Sequence, residues 1–145
     1  MKAISIQQPW AHLILTDEKQ YEYRSWSTDH RGDLLVCSSA NPKIEGTIPG
    51  HALCVVEITD VIAVNRRNYQ QVGLDEPPAR GEKLFAWKIE NVRVVEPFPV
   101  KGKLHLYEVP DEKIHIFEEN DETTDEEVQA WFDTYFMPHV YWGKG

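Results

Sequence analysis

The sequence predicts an α+β fold: a small mixed β-barrel of five or six strands with two or three helices. Three observations carry that expectation. Short strand-like runs recur between Pro- and Gly-rich turns over residues 1–110. Two runs are long, and the second switches the parity of its apolar residues midway, as a strand does at a bulge or corner. Helical stretches are few, two or three, and short. At 145 residues the chain has the length of one domain and can bury a real core without disulfides or metal.

The elements follow in order. Pro9 suits the first helical position, and Trp10, Leu13 and Ile14 recur at i, i+3, i+4, so a short amphipathic helix ends near residues 16–18. Tyr21 to Trp26 reads as a strand, with Tyr21, Tyr23 and Ser25 on one face and Glu22 and Arg24 on the other. Leu34 to Ser38 is an apolar, buried strand after a turn at Arg31-Gly32-Asp33. Residues 41–50 form a loop. In Ala52 to Val64, the residues Ala52, Cys54, Val56, Ile58, Ile62 and Val64 share one parity. Residues 65–72 suggest a short helix and 73–81 a loop. In Leu84 to Val95, Phe85, Trp87 and Ile89 hold one parity and Val92 and Val94 the other, which is the switch noted above. Leu104 to Val109 completes the strands. Thr124-Asp125-Glu126-Glu127 has the capping-box pattern, and Val128, Trp131, Phe132, Tyr135 and Phe136 form an apolar stripe on a C-terminal helix that Pro138 ends.

The formal net charge is −9, and its location is informative. Glu108 to Glu127 holds ten acids and one base, Lys113, whereas the remainder holds 14 of each. The acidic run reads first as solvation and as complement to the helix dipole. Its sign disfavours extended duplex DNA over the whole surface and leaves a local basic pocket open. The longest apolar run, Ala52 to Val56, is five residues, far short of a membrane span of about 20. The first residues carry no apolar leader stretch. Cys37 and Cys54 lie in apolar strands outside any CxxC, which points to buried thiols in a reducing cytoplasm. His12, His30, His51, His105, His115 and His139 show no zinc spacing, and no nucleotide-binding glycine motif or nucleophile elbow occurs, so neither metal nor cofactor is expected.

The informative stretch is Gln7-Gln8-Pro9-Trp10 through Lys19-Gln20-Tyr21-Glu22-Tyr23-Arg24-Ser25-Trp26. Glu22 and Arg24 project from one strand face, and Lys19 stands at the helix exit beside them. Arg24 can hold Glu22 by a charge-assisted pair, and Glu22 can act as a general base or accept from a nucleobase edge. Lys19 can meet a phosphate or carbonyl oxygen; desolvated near Arg24, its pKa falls and the neutral amine becomes a nucleophile or base. A plain solvated ion pair is the alternative reading of the same spacing. Trp10 and Trp26 flank the motif as candidate stacking platforms, whereas Trp87, between Phe85 and Ile89, reads as core. Lys101 and Lys103 flank Gly102 in a turn and can reach a phosphate or stay solvated.

Lys19, Glu22 and Arg24 stand at the K-x-x-E-x-R positions of a G-x-K-x-x-E-x-R signature, with Asp17 in place of its Gly. With the flanks Ser5 to Ala11 and Arg31 to Val36, and the later blocks Phe85 to Asn91 and Phe98 to Lys103, the chain resembles the ASCH domain, a branch of the PUA-like barrel superfamily. The resemblance covers residues 1–110 and implies a barrel whose cleft is lined by the motif. Residues 111–145 look like an acidic, helical extension packed on the same domain. It further implies RNA binding, or, as in some ASCH-like members, hydrolysis of RNA or of an acylated cytidine. On that footing the expected ligand is RNA, a nucleoside or a nucleotide. Lys19, Arg24 and Lys101 would meet phosphate or carbonyl oxygens, Gln8 and Glu22 would read polar edges, and Trp10 or Trp26 would stack. In the hydrolase alternative Lys19 and Glu22 are catalytic. A second alternative is an adaptor whose acidic segment and aromatic helix bind a basic protein.

Overall fold

The sequence pattern alone names no strand before Pro9, yet Lys2–Ile6 forms one, β1, whose Ala3, Ile4 and Ile6 are buried. The computed structural model describes residues 1–143. After β1 come α1 (Trp10–Leu15), β2 (Tyr21–Arg24), β3 (Gly32–Ser38), β4 (His51–Ala63), β5 (Phe85–Pro99), β6 (Tyr107–Glu108) and α2 (Asp125–Trp131). The six strands make one mixed sheet in the order β2-β5-β4-β3-β1-β6. Only β1 and β3 run parallel; the other pairs are antiparallel. The fold is α+β, as the sequence predicts, but the ladder does not close, and β2 and β6 are its edges.

The curled sheet is buried on both faces, which explains the nearly unbroken apolar run of β3. Ile4, Ile6, Ile14, Leu34, Val36 and Trp87 share the main core. Ala3, Leu35, Cys37, Val55 and Val95 pack on the opposite face. The parity switch in β5 is a bulge: Val55 pairs with Arg93 and Glu57 with Glu90, so β5 holds one extra residue there, and Asn91 takes φ 55°. The single face expected for residues 52–64 does not survive. Bulges in β4 send Ala52 and Val55 to one core and Leu53, Cys54, Val56 and Ile58 to the other. Cys37 and Cys54 are buried, unpaired thiols; burial raises the pKa of Cys37 to about 11 and that of Cys54 further.

Three local expectations are corrected. Residues 65–72 form successive turns, not a helix: Asn65 and Asn68 exchange the bonds of a helix start, but after Tyr69 N–H to Asn65 O the backbone bonds fall back to three residues, Gln71 to Asn68 and Gly73 to Gln70. The last strand shrinks to Tyr107–Glu108, since His105 adopts φ 58°. The C-terminal helix starts on the expected capping box at Thr124 and Glu127 but is α-helical only to Trp131. Phe132–Phe136 widens to a π turn, so the stripe loses its 3.6-residue period: Phe136 is buried in the main core, whereas Tyr135 is exposed. The acidic segment is fastened to β5 by Phe117 N–H to Val94 O and Glu96 N–H to His115 O. Among the described residues no helix is long and apolar enough to cross a membrane.

The end of α1 explains residue 17. Glu18 N–H bonds to Leu13 O and Asp17 N–H to Ile14 O, a Schellman motif that needs a left-handed residue at Asp17, where φ is 63°. An Asp there is strained where the signature carries Gly. Asp17→Gly is expected to stabilise the fold by about 1 kcal/mol, read as a higher urea midpoint with an unchanged m value.

Candidate functional site

Four residues of β2 put two charges on one face. Glu22 and Arg24 point the same way, while Tyr21 and Tyr23 stack on each other on the opposite side, with ring centroids 6.5 Å apart. Across from Glu22 on the neighbouring strand, Trp87 of β5 stands in register and is wholly buried. The edge of β2 looks across a cleft of about 1040 Å³ at β1, and the loop 100–105 forms a third wall. The cleft lies where the sheet fails to close. β1 pairs with β6 only at Lys2 and Ala3, leaving Ile4 to Ile6 unpaired on that side. One guanidinium spans the gap: Arg24 donates from Nη2 to Ser5 O at 3.0 Å.

The three motif residues converge here. Arg24 donates to Glu22 Oε2 from Nε at 3.2 Å and from Nη2 at 2.9 Å, and Lys19 Nζ lies 3.7 Å from Glu22 Oε1. The carboxylate side chain is only 10% exposed and that of Lys19 14%. The Lys19 ammonium also sits over the Tyr23 ring, 4.3 Å from its centroid, and 5.9 Å from that of Trp10. Tyr23 is itself fixed, donating from its hydroxyl to Val72 O at 2.6 Å. Desolvation lowers the pKa of Lys19 and Arg24 adds to this, whereas Glu22 pulls it back up. Burial raises that of Tyr23.

Trp10, Trp26 and Lys101 line the same cleft as the motif. Trp10 is half exposed at the rim. Trp26 packs edge-on against Trp87 at 4.8 Å and lies 4.6 Å from His105, so its ring is pinned at the floor. Gln8 does not join them. It is buried, donating to Ile48 O and accepting from His12 N–H at the start of α1. It stands in the turn between β1 and α1, beyond the end of the strand, and its amide is used up by the backbone on either side. His105 and Lys103 also line the cleft. Nothing local in the sequence announces His105, because its place depends on how the 100–105 loop folds back. Gly102 is required there for space: a Cβ would stand 2.6 Å from Ser5 Oγ, which is itself held by the Tyr107 hydroxyl at 2.6 Å. Among the described residues no three metal-ligating side chains come together.

Comparisons agree with this architecture. The ASCH domain profile matches residues 4–99. Human activating signal cointegrator 1 is 25% identical over 135 residues, covering 77% of this chain, and its mouse counterpart is 25% identical over 132 residues with the same coverage. The chain spans only 22% of the length of these relatives. Among solved structures, the crystal structure of ASCH from Zymomonas mobilis superposes with a TM-score of 0.61 at 13% identity, covering 77% of this chain and 89% of that one. A mutant of the same protein gives 0.60 at 13% identity, with 77% and 91% covered. That likeness is one of fold, and the profile match runs from within β1 to the end of β5, with Lys19, Glu22 and Arg24 inside it: the chain belongs to the ASCH domain family.

Proposed function

We propose that the cleft binds single-stranded RNA or one of its nucleoside or nucleotide units. The observation that carries this reading is the convergence of Lys19, Glu22 and Arg24 in one cleft beside Trp10 and Trp26. Lys19, Arg24, Lys101 and Lys103 against the single carboxylate Glu22 make a local positive field on a chain of net charge −9. Glu22 accepts from the ligand's amino groups, Lys19 and Arg24 meet its oxygens, and Trp10, the freer ring, stacks on its base. Few phosphates are in reach, so the salt dependence is shallow. The reading fits the general association of ASCH domains with nucleic acids and a reducing compartment in which Cys37 and Cys54 remain thiols.

A thermal-shift panel of nucleosides, nucleotides and short RNAs tests it. A ligand at about 100 times its Kd adds about 2.7 kcal/mol, a Tm rise of several degrees. The rise is expected to disappear in Lys19→Ala. No shift from any member of the panel, or a shift indifferent to that substitution, defeats the reading.

The lowered pKa of Lys19 beside Glu22 favours a second reading, hydrolysis of RNA or of an acylated cytidine. In its neutral form the Lys19 amine takes a proton from the attacking water as that water's oxygen bonds to the acyl carbon or phosphorus; the C–N or P–O bond breaks, and the proton passes by way of Glu22 to the departing nitrogen or oxygen. Turnover of acetylated cytidine or an RNA oligomer, abolished by Lys19→Ala and kept by Lys83→Ala, is the expected signature. Binding without product in single-turnover assays excludes it.

A further inference from the structure

We propose that the protein takes its ligand as a phosphodiester-linked strand of at least two nucleotides, seated in two hollows that share the Lys101-Gly102-Lys103 turn. The inference deepens the RNA-binding reading and rests on it. Beyond that turn lies a second, smaller hollow of about 160 Å³. Lys101 and Lys103 line both hollows, so the turn is a common wall. The second hollow adds Lys113, the one base within the acidic run. Its apolar side is built from Phe98, Val100 and Pro110.

Charge makes this an anion path in spite of the acids nearby. Glu108 also lines the second hollow, but its carboxylate is engaged by Lys2 at 3.1 Å and by the N-terminal ammonium at 3.3 Å. Asp111, two residues before Lys113, is held by the same ammonium at 2.7 Å, and Glu112, next to Lys113, does not line the hollow. Lys101, Lys103 and Lys113 are all exposed, and none enters an ion pair among the described residues. In the main cleft, by contrast, Lys19 and Arg24 are already engaged by Glu22. The uncommitted positive charge therefore stands on the wall and beyond it, which is where a phosphate linking two nucleotides would cross. The smaller hollow has room for about five waters, the bulk of a single sugar or base ring, and its apolar side suits one.

The test compares each of the four nucleoside 5′-monophosphates with its 5′-phosphorylated homodinucleotide, by calorimetry on the full chain and on Lys113→Gln. The Lys113 side chain is exposed and only its backbone N–H is used structurally, so this variant folds. The dinucleotide is expected to bind about tenfold more tightly than its monomer. Lys113→Gln should weaken the dinucleotide about three- to tenfold and flatten its salt slope by about 0.7, leaving the monomer unchanged. Equal affinity for monomer and dinucleotide, or equal loss of both in Lys113→Gln, overturns the two-hollow path while the cleft reading stands. Absence of binding by every monomer and dinucleotide overturns both.

Discussion

Glu22→Ala lowers the unfolding free energy by about 2–4 kcal/mol, read as a drop in urea midpoint. The size follows from what the carboxylate holds together. Its side chain is 10% exposed and faces a lysine that is 14% exposed and an arginine that is 26% exposed. Removing it leaves two cations side by side with little water and no counter-charge, and the loss of the Arg24 contact also loosens the one link from β2 to Ser5. A matched change should appear at Lys19. Glu22→Gln keeps the shape but removes the interaction that raises the lysine pKa, leaving desolvation and Arg24, which lower it. The midpoint of Lys19, followed by NMR of its side chain, is therefore expected to move further below 10.5. Between its folded and unfolded pKa values the folded chain binds fewer protons than the unfolded one, so stability rises with pH across that window. Glu22→Gln extends the window downward. An unchanged Lys19 titration would show that the two groups are not coupled.

Trp87→Ala is expected to cost about 3–5 kcal/mol, measured the same way, and to weaken ligand binding in the cleft as well. The ring is wholly buried on the strand beside Glu22 and packs edge-on with Trp26, which in turn meets His105. Truncation leaves a void under the cleft floor, and Trp26 loses the surface that sets its tilt. Trp87→Phe separates the two effects. It keeps an aromatic support for Trp26 and removes an indole N–H that has no hydrogen-bond partner, so it should cost far less and retain most of the binding. Loss of ligand affinity in Trp87→Phe equal to that in Trp87→Ala would contradict the role assigned to the ring.

The strongest local signals in the sequence were those with a short physical range. Glu22 and Arg24, two apart on a strand, share a face whatever the rest of the chain does, and Thr124 with Glu127 caps a helix by contacts three residues apart. The bulge in β5 was visible because apolar parity is a local record of which side faces the core. Longer-range facts left no such trace. Leu53 and Cys54 enter the same core only because β4 bulges against β3 and β5. His105 reaches Trp26 through a left-handed backbone that no neighbour dictates. Gln8 differs for another reason: a polar residue beside a motif invites a binding role, whereas its amide satisfies the backbone at Ile48 and at the first turn of α1. Residue 17 lay between these cases. The signature carries a glycine there, and the Schellman geometry gives the reason.

The Arg24–Ser5 bridge has a mechanical corollary. Neighbouring strands in a zipped ladder are clamped about 4.8 Å apart by bond after bond, and prising them open means breaking the whole row. A lone side chain is a latch instead, one contact between two strand edges that are otherwise unpaired there. Parting the two edges at that point therefore means breaking one hydrogen bond and not a row of them.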